Sequence, residues 1–487
     1  MRNHLQKTKV GVIWSFFNQG GTQVLNLLVT FVLARLITPE EFGIIGMIAV
    51  FTGFAKIFVD LGFSNALIQK KSISKKDIDT VFTFNIISGL VLTGIFFFFS
   101  SLIADFYGEA ILSKITKVYS PIFLIMAFGG VNQAMIIKAM EFKKNTIASI
   151  VSTIVSSTIA IAMAYLGFGV WSILSKILSE QIITTLLVMV LFPVRQQPKF
   201  YYSSFRALAK NGFNMAGDSV INYWSRNADN LIIGKFLGDG PLGIYSKAYA
   251  IMMLPLRNIS RVIGKVMFPS FSLLQNEVEK IKSIYLKATR LIAFVTFPLM
   301  MGLAILAEPF VLVTFGENWV QMIPIIRILA AIGAIQSVFT LNGVIFNSLG
   351  KPEISLRISI IRSITNIGAF IMGLKLGGLN GLAMAYAIVT LLSVLPSFYF
   401  AGKQINVSIL EMFKNLFNAT GSTIIMGLSI FYIQKTIESF FSTAILRLLI
   451  PTLCGIMIYY LIGYLLGLEE LKLAKKIFIQ KKKPKVI

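Results

Sequence analysis

The sequence predicts an all-α polytopic membrane protein of about 14 transmembrane helices, arranged as two related six-helix lobes followed by two further helices. Three observations carry this. The 487 residues are 56% hydrophobic and 14% charged, far more apolar than a soluble domain. Apolar runs recur at about the 20 residues needed to cross a hydrocarbon core. A weak internal repeat, offset by 200 residues, divides the chain as many transporters are divided.

The first residues, MRNHLQKTK, are polar and basic and run into an apolar segment with no small-residue cleavage site, which reads as a retained helix, not a signal peptide. Spans are expected near 11–34, 42–67, 80–104, 117–137, 146–166 and 170–193, then 211–234, 242–267, 289–314, 322–346, 355–376 and 379–400, and finally 417–436 and 444–467. An even number returns the chain to the side from which it started. The segments on that side hold 29 of the 45 Lys and Arg residues, and those on the other side hold 6. The positive-inside rule then places both termini in the cytoplasm. Most of the net charge of +24 is explained in this way, without nucleic acid.

The repeat aligns ARLITPEEFGI (34–44) with GKFLGDGPLGI (234–244), and Asn18, Thr22 and Asn26 with Asp218, Asn222 and Arg226. It sets an N-lobe at 1–193, a linker at 194–210 and a C-lobe at 211–400. The two extra helices occupy 401–467 and a basic tail 468–487. The linker's aromatic and basic residues suit an interfacial segment. The tail's lysines suit anionic lipid. GDGPLG (238–243) matches G-x-G-x-x-G, but it follows a membrane helix and contains Pro241, so no dinucleotide cradle is expected. Gly20, Gly21, Gly217 and Gly264 are candidate points of bending or close helix approach.

Helix seven is the most polar span. Asn211, Asn214, Asp218, Asn222, Ser225, Arg226 and Asp229 share one arc at ~100° per residue. A charge in hydrocarbon is costly unless it meets a partner or a wet cavity, so this stripe is expected to line one. Ten Lys and Arg residues fall inside spans, and Lys56, Arg226, Arg257, Lys176 and Arg261 lie deepest. Lys56 with Asp60 and Lys176 with Glu180 have the i, i+4 spacing of local ion pairs. Lys56 and Arg257 are nearly equivalent under the repeat, which favours a shared lumen. Excess cations in a lumen call for an anion, and phosphate suits the Arg fork. The polar set Asn18, Asn26, Asp60, Glu180, Asp218, Asn222 and Asp229 either balances these cations or binds a coupling H⁺ or Na⁺. With one Cys and one His, no cysteine or histidine metal site is expected, and no loop is long enough for a catalytic domain.

RLITPEEFGIIGM (35–47), DLGFSNALIQKK (60–71), LGFGVWS (166–172) and NADNLIIGKFLGDGPLGIYSKAY (227–249) together resemble the Wzx-type polysaccharide flippases of O-antigen, colanic-acid and teichuronic-acid export. These belong to the multidrug/oligosaccharidyl-lipid/polysaccharide exporter (MOP) superfamily. The resemblance implies two pseudo-symmetric bundles around a V-shaped central cavity, and no enzymatic step. It implies alternating access that carries an undecaprenyl-diphosphate-linked oligosaccharide to the outer leaflet of the bacterial cytoplasmic (inner) membrane. Polysaccharide polymerase and export machinery are then candidate partners. By helix and depth, Lys56 and Arg257 resemble the pyrophosphate-binding cations of related lipid II flippases, with Arg226 added. The alternatives are a cation-coupled multidrug or metabolite antiporter, a lipid II flippase and a non-transporting scaffold. Multidrug exporters often carry an acidic residue in helix one, where this chain has Asn18 and Asn26.

Overall fold

The computed structural model describes residues 2–468, 470 and 471; the side chains of 2–13, 15–17, 210, 211, 214, 218, 221 and 225 lie outside the described set. The tail from 472 onward, read above as a lipid anchor, is outside it too. Among the described residues every regular element is helical. Ten helices are long and apolar enough to cross a membrane by length and composition. The chain divides into two compact units, Met1–Gly243 and Ile244–Ile487.

The first unit holds α1 (Arg2–Leu36), α2 (Pro39–Asp60), α3 (Phe63–Gln69), α4 (Lys75–Phe98) and α5 (Ser100–Tyr107). It continues with α6 (Ile111–Tyr119), α7 (Ile122–Lys138), α8 (Phe142–Tyr165), α9 (Val170–Leu191) and α10 (Tyr202–Leu237). The starts are written locally. Thr38 and Glu41 form a capping box on α2 with Pro39 in the first turn, and Ser74 with Asp77 does the same for α4. Glu41 also accepts from Val170 N at 3.1 Å, so one carboxylate serves two helix starts.

Helix seven of the sequence is the greater part of α10, and the second half of the expected linker is its first turns. The rest of the linker is pinned. Asp79 accepts from Gln197 N at 2.8 Å, Thr80 accepts from Tyr201 N at 3.1 Å, and Asn132 donates to Phe192 O at 2.9 Å. Phe205 stacks on Phe63, their centroids 5.4 Å apart. The compact boundary therefore falls after α10, while the repeat boundary falls before it.

The second unit begins inside α11 (Asp239–Pro255), which a π-helical turn (Leu256–Ser260) joins to α12 (Arg261–Leu273). Then come α13 (Val278–Ile305), α14 (Ala307–Thr314), α15 (Met322–Ser348), α16 (Pro352–Ile405), α17 (Ile409–Phe440) and α18 (Ala444–Leu465). α16 contains two expected spans. Gly377 and Gly378 leave the helical region, the latter at φ 56, and the chain folds back on itself there. Within lipid, helices gain little from the hydrophobic effect and are held by packing and polar bonds. In this unit Tyr285 donates to Asn342 Oδ1 at 2.7 Å, Asn342 to Ser397 Oγ at 2.8 Å, and the Thr296 and Ser337 hydroxyls pair at 2.7 Å, all in a core with Phe271, Ile292 and Leu341.

Of the four glycines expected to permit bending or close approach, only Gly264 has a tight neighbour. Nothing lies within 4 Å of a Cβ placed on Gly20 or Gly217, and Gly21 would meet only Ile150 at 3.9 Å; Gly264 is tighter, at 3.3 Å from Val344. The closest approaches are at the repeat. A Cβ on Gly43 would stand 1.8 Å from the carbonyl oxygen of Asp239, and one on Gly243 would stand 1.9 Å from that of Pro39. Residues 39 and 239 are equivalent under the 200-residue shift, as are 43 and 243. The two contacts are thus one contact seen twice, as across a two-fold axis. Gly43→Ala or Gly243→Ala should destabilise by about 1–3 kcal/mol through overpacking. Gly217→Ala should be neutral or slightly stabilising, since helical Ala is favoured over Gly by about 0.5–1 kcal/mol. Thermal midpoints of the three variants in one detergent check this ordering.

Candidate functional site

The membrane charges sort into those that meet a partner and those that do not. Lys176, on α9, donates to Glu180 Oε2 at 2.9 Å and to Asn26 Oδ1 of α1 at 3.0 Å. Thr153 of α8 donates to Glu180 Oε1 at 2.9 Å. Four side chains from three helices thus form one network, partly covered, with Lys176 and Glu180 side chains 15% and 30% exposed. The i, i+4 spacing predicts the pair. Asn26 comes from the polar stripe of helix one, and Thr153 carries no signal in sequence. Asn18 lies two turns from Asn26, and its carbonyl accepts from Thr22.

Lys56 and Asp60 have the same spacing and do not pair. α2 ends at Asp60, because Leu61 turns into the left-handed region at φ 44. The next helix, α3, has Gly62 at its N-cap and hence no side chain of its own to cap with. Asp60 does it instead, accepting from Ser64 N at 2.8 Å and Ser64 Oγ at 2.7 Å. Lys56 Nζ lies 5.8 Å from the ring centroid of Tyr119 on α6, a cation–π distance. Among the described residues no carboxylate lies within ion-pair distance of it.

On α10, Arg226 and Asn222 are exposed and Asp229 is buried, 7% exposed. Asp229 Oδ1 accepts from Asn230 N at 2.8 Å. Asp218 lies outside the described side chains. α10 is held to α2 by Tyr223, whose hydroxyl donates to Ala49 O at 2.9 Å and Val50 O at 2.6 Å. In the second unit, Arg257 is exposed within the π-helical turn, and the half-buried Arg261 begins α12. The turn has a local cause. Pro255, which has no N–H to donate, ends α11, and the turn after it closes wide, from Arg261 N to Leu256 O. Among the described residues neither Arg226 nor Arg257 has a carboxylate within ion-pair distance. Glu308 faces Arg327 at 3.8 Å, both about half exposed.

Three cations without ion pairs and one paired network are the features to set beside known proteins. The profile of the polysaccharide biosynthesis protein family matches residues 32–324, more than half of the chain. The chain belongs to this family. It is 26% identical to the lipopolysaccharide biosynthesis protein WzxC of Escherichia coli K12, over 81% of the chain and 80% of that protein. It is 26% identical to the teichuronic acid biosynthesis protein TuaB of Bacillus subtilis 168, over 92% of the chain and 93% of that protein. Among solved structures it is similar to the lipid II flippase MurJ in an inward closed conformation, with TM-score 0.76 and 17% identity over 93% of the chain and 98% of MurJ. An inward-facing multidrug resistance MATE transporter of the MOP superfamily gives TM-score 0.63 and 18% identity over 79% of the chain and 94% of that protein. At these identities the structures speak for the fold. The family and the fold together make this a polytopic helical membrane protein of the polysaccharide biosynthesis family, similar to the Wzx-type proteins and to the flippase and exporter structures.

Double-mutant cycles test the assignment of partners. Lys176→Met with Glu180→Leu should be non-additive, with a coupling of about 0.5–3 kcal/mol. Lys56→Met with Asp60→Ala should add within about 0.5 kcal/mol, and Asp60→Ala alone should cost the ~1 kcal/mol of a lost helix cap. Thermal unfolding in detergent reads both cycles.

Proposed function

We propose that this protein is a Wzx-type flippase of the MOP superfamily that carries an undecaprenyl-diphosphate-linked oligosaccharide repeat unit from the cytoplasmic to the outer leaflet of a bacterial cytoplasmic membrane. The observation that carries the reading is the absence, among the described residues, of ion pairs at Lys56, Arg226 and Arg257. An intramembrane cation costs several kcal/mol unless compensated, so a chain that retains three such cations has an anion to receive. A diphosphate supplies the charge, and Arg presents the planar fork that matches it. In this reading Lys56, Arg226 and Arg257 hold the phosphates, and Arg261 supports the turn that carries Arg257. Lys176 belongs to a satisfied network and orients α1 against α9. Asn18, Asn26, Asn222 and Asp229 belong to the polar surface that the sugars pass, and the prenyl chain stays in lipid.

In this reading transport is by alternating access, and the repeat supports it. The basic-residue bias supports an outer position for the Gly43 and Gly243 contacts, where backbone meets backbone without side chains between. The MATE fold is shared with drug exporters, but a cation-rich path repels the cationic drugs such exporters carry. The charge of the path, not the fold, therefore separates the two functions.

Charge reversal provides the test. Lys56→Glu and Arg257→Glu, each accumulating normally in the membrane, should reduce polysaccharide export at least tenfold, with the lipid-linked saccharide building up on the cytoplasmic leaflet. Lys56→Arg should retain most activity. Wild-type export from both reversed variants would overturn the role of these cations. Efflux of cationic dyes by the wild type, without saccharide accumulation on deletion, would overturn the substrate class.

A further inference from the structure

The second unit has a cavity of about 150 Å³ that the transport reading does not use. It lies between α13, α17 and the segment that follows α18. After Leu465 the chain turns through Gly467, at φ 62, and doubles back. Leu468 and Glu470 are buried there, 5% and 6% exposed. Arg290 Nε of α13 lies 2.7 Å from Glu470 Oε1, an ion pair at the cavity wall. The floor is Ala419, Leu468 and Glu470, all buried, and the exposed Asn418 and Leu466 form the rim. Phe294 completes the apolar wall, and its carbonyl accepts from Tyr459 of α18 at 2.9 Å.

The depth of this cavity is informative. Below it, α13 and α17 are zipped by polar bonds: Lys282 to Glu411 at 3.0 Å, then Asn415 to Leu286 O at 2.9 Å. Above it, to the end of α13 and to Ile433 of α17, the two helices carry no charge, and their buried polar groups are the hydroxyls of Thr296, Ser422 and Thr423. Arg290 sits where the ninth expected span begins (289), and Leu466 where the last one ends (467). The cavity therefore lies at the polar–apolar boundary, the level at which lipid phosphates lie. Its walls match that level, a cation and an amide on one side and aliphatic and aromatic carbon on the other. Seven lysines follow between 472 and 485. A basic segment beside a membrane gathers anionic lipid.

We propose that this cavity binds the phosphate diester of an anionic phospholipid of the cytoplasmic leaflet, on Arg290 and Asn418, and that Glu470 is the internal anion which the lipid phosphate displaces from Arg290. At ~30 Å³ per water the space holds about five waters. That is room for a phosphate and a short stub of glycerol, and the acyl chains remain in the bilayer. Burying a carboxylate against an Arg gains little stability over an apolar pair, and an exchangeable partner gives the pair a use. The side of the membrane rests on the cytoplasmic assignment of the tail; the site itself does not depend on what the flippase transports.

The test uses the full-length protein in mixed micelles, with bound lipid counted by native mass spectrometry. The tail lysines are common to every variant, so differences report on the cavity. The wild type should retain phosphatidylglycerol in preference to phosphatidylcholine. Glu470→Gln, which removes the internal competitor, should bind phosphatidylglycerol about tenfold tighter. Arg290→Gln combined with Glu470→Gln, which leaves no buried charge unpaired, should bind it about tenfold more weakly than the wild type. Arg290→Lys, with charge but no fork, should fall between the wild type and that double variant. Equal phosphatidylglycerol binding by wild type and Glu470→Gln would overturn the proposal and leave the ion pair as a clasp for the chain end. Inorganic phosphate at millimolar concentration competing fully with the lipid would overturn the lipid assignment in favour of a free-phosphate site.

Discussion

The carboxylate of Asp60 is held by α3, and Lys56 is left to an aromatic ring. Most of the functional reading depends on that division. In hydrocarbon a charge is answered or it is expensive, so the distribution of partners states which charges are structural. Lys176 and Glu180 answer each other, with Asn26 and Thr153 filling their remaining bonds. Asp60 serves a helix end that has no cap of its own. Lys56, Arg226 and Arg257 are left over, and they are the groups that an anionic headgroup would find.

The same economy runs through the packing. Water does not drive membrane helices together, so the units are secured where backbones can touch or where polar side chains can be spent in pairs. The first unit uses Tyr223 to α2, and Asp79 and Thr80 of α4 to the segment 197–201. The second uses the Tyr285, Asn342 and Ser397 chain. The reversal of α16 relies on Gly373 and Gly381, each of which would place a Cβ within 2.4 Å of the other's carbonyl oxygen.

What could be read in the sequence follows what is local. Spans were legible because hydropathy is a sum over neighbours, and the Lys176–Glu180 pair because four residues make one helical turn. Lys56 and Asp60 satisfied the same spacing. The reading failed because the helix stops at Asp60, a fact held in the left-handed Leu61 and the capless Gly62 that follow. Arg257 was legible as a deep cation, but the π-helical turn that carries it was not. Tyr119, Thr153 and the partnership of Arg290 with Glu470 join positions 27 to 180 residues apart, and no periodicity reports on such distances. The repeat is the intermediate case. A 200-residue offset paired Gly43 with Gly243 on paper, and only the fold shows that each faces the other's helix start.

That last contact limits how the chain can change. Where a side chain blocks a larger residue, a second substitution can trim the obstacle, and the pair drifts together. At Gly43 and Gly243 the obstacle is a main-chain oxygen, which no codon alters. Compensation would need the helices themselves to move apart, and a shift of either one disturbs both contacts at once. The two positions are therefore closed to pairwise rescue, and an ancient duplication leaves a constraint there that neither copy can escape alone.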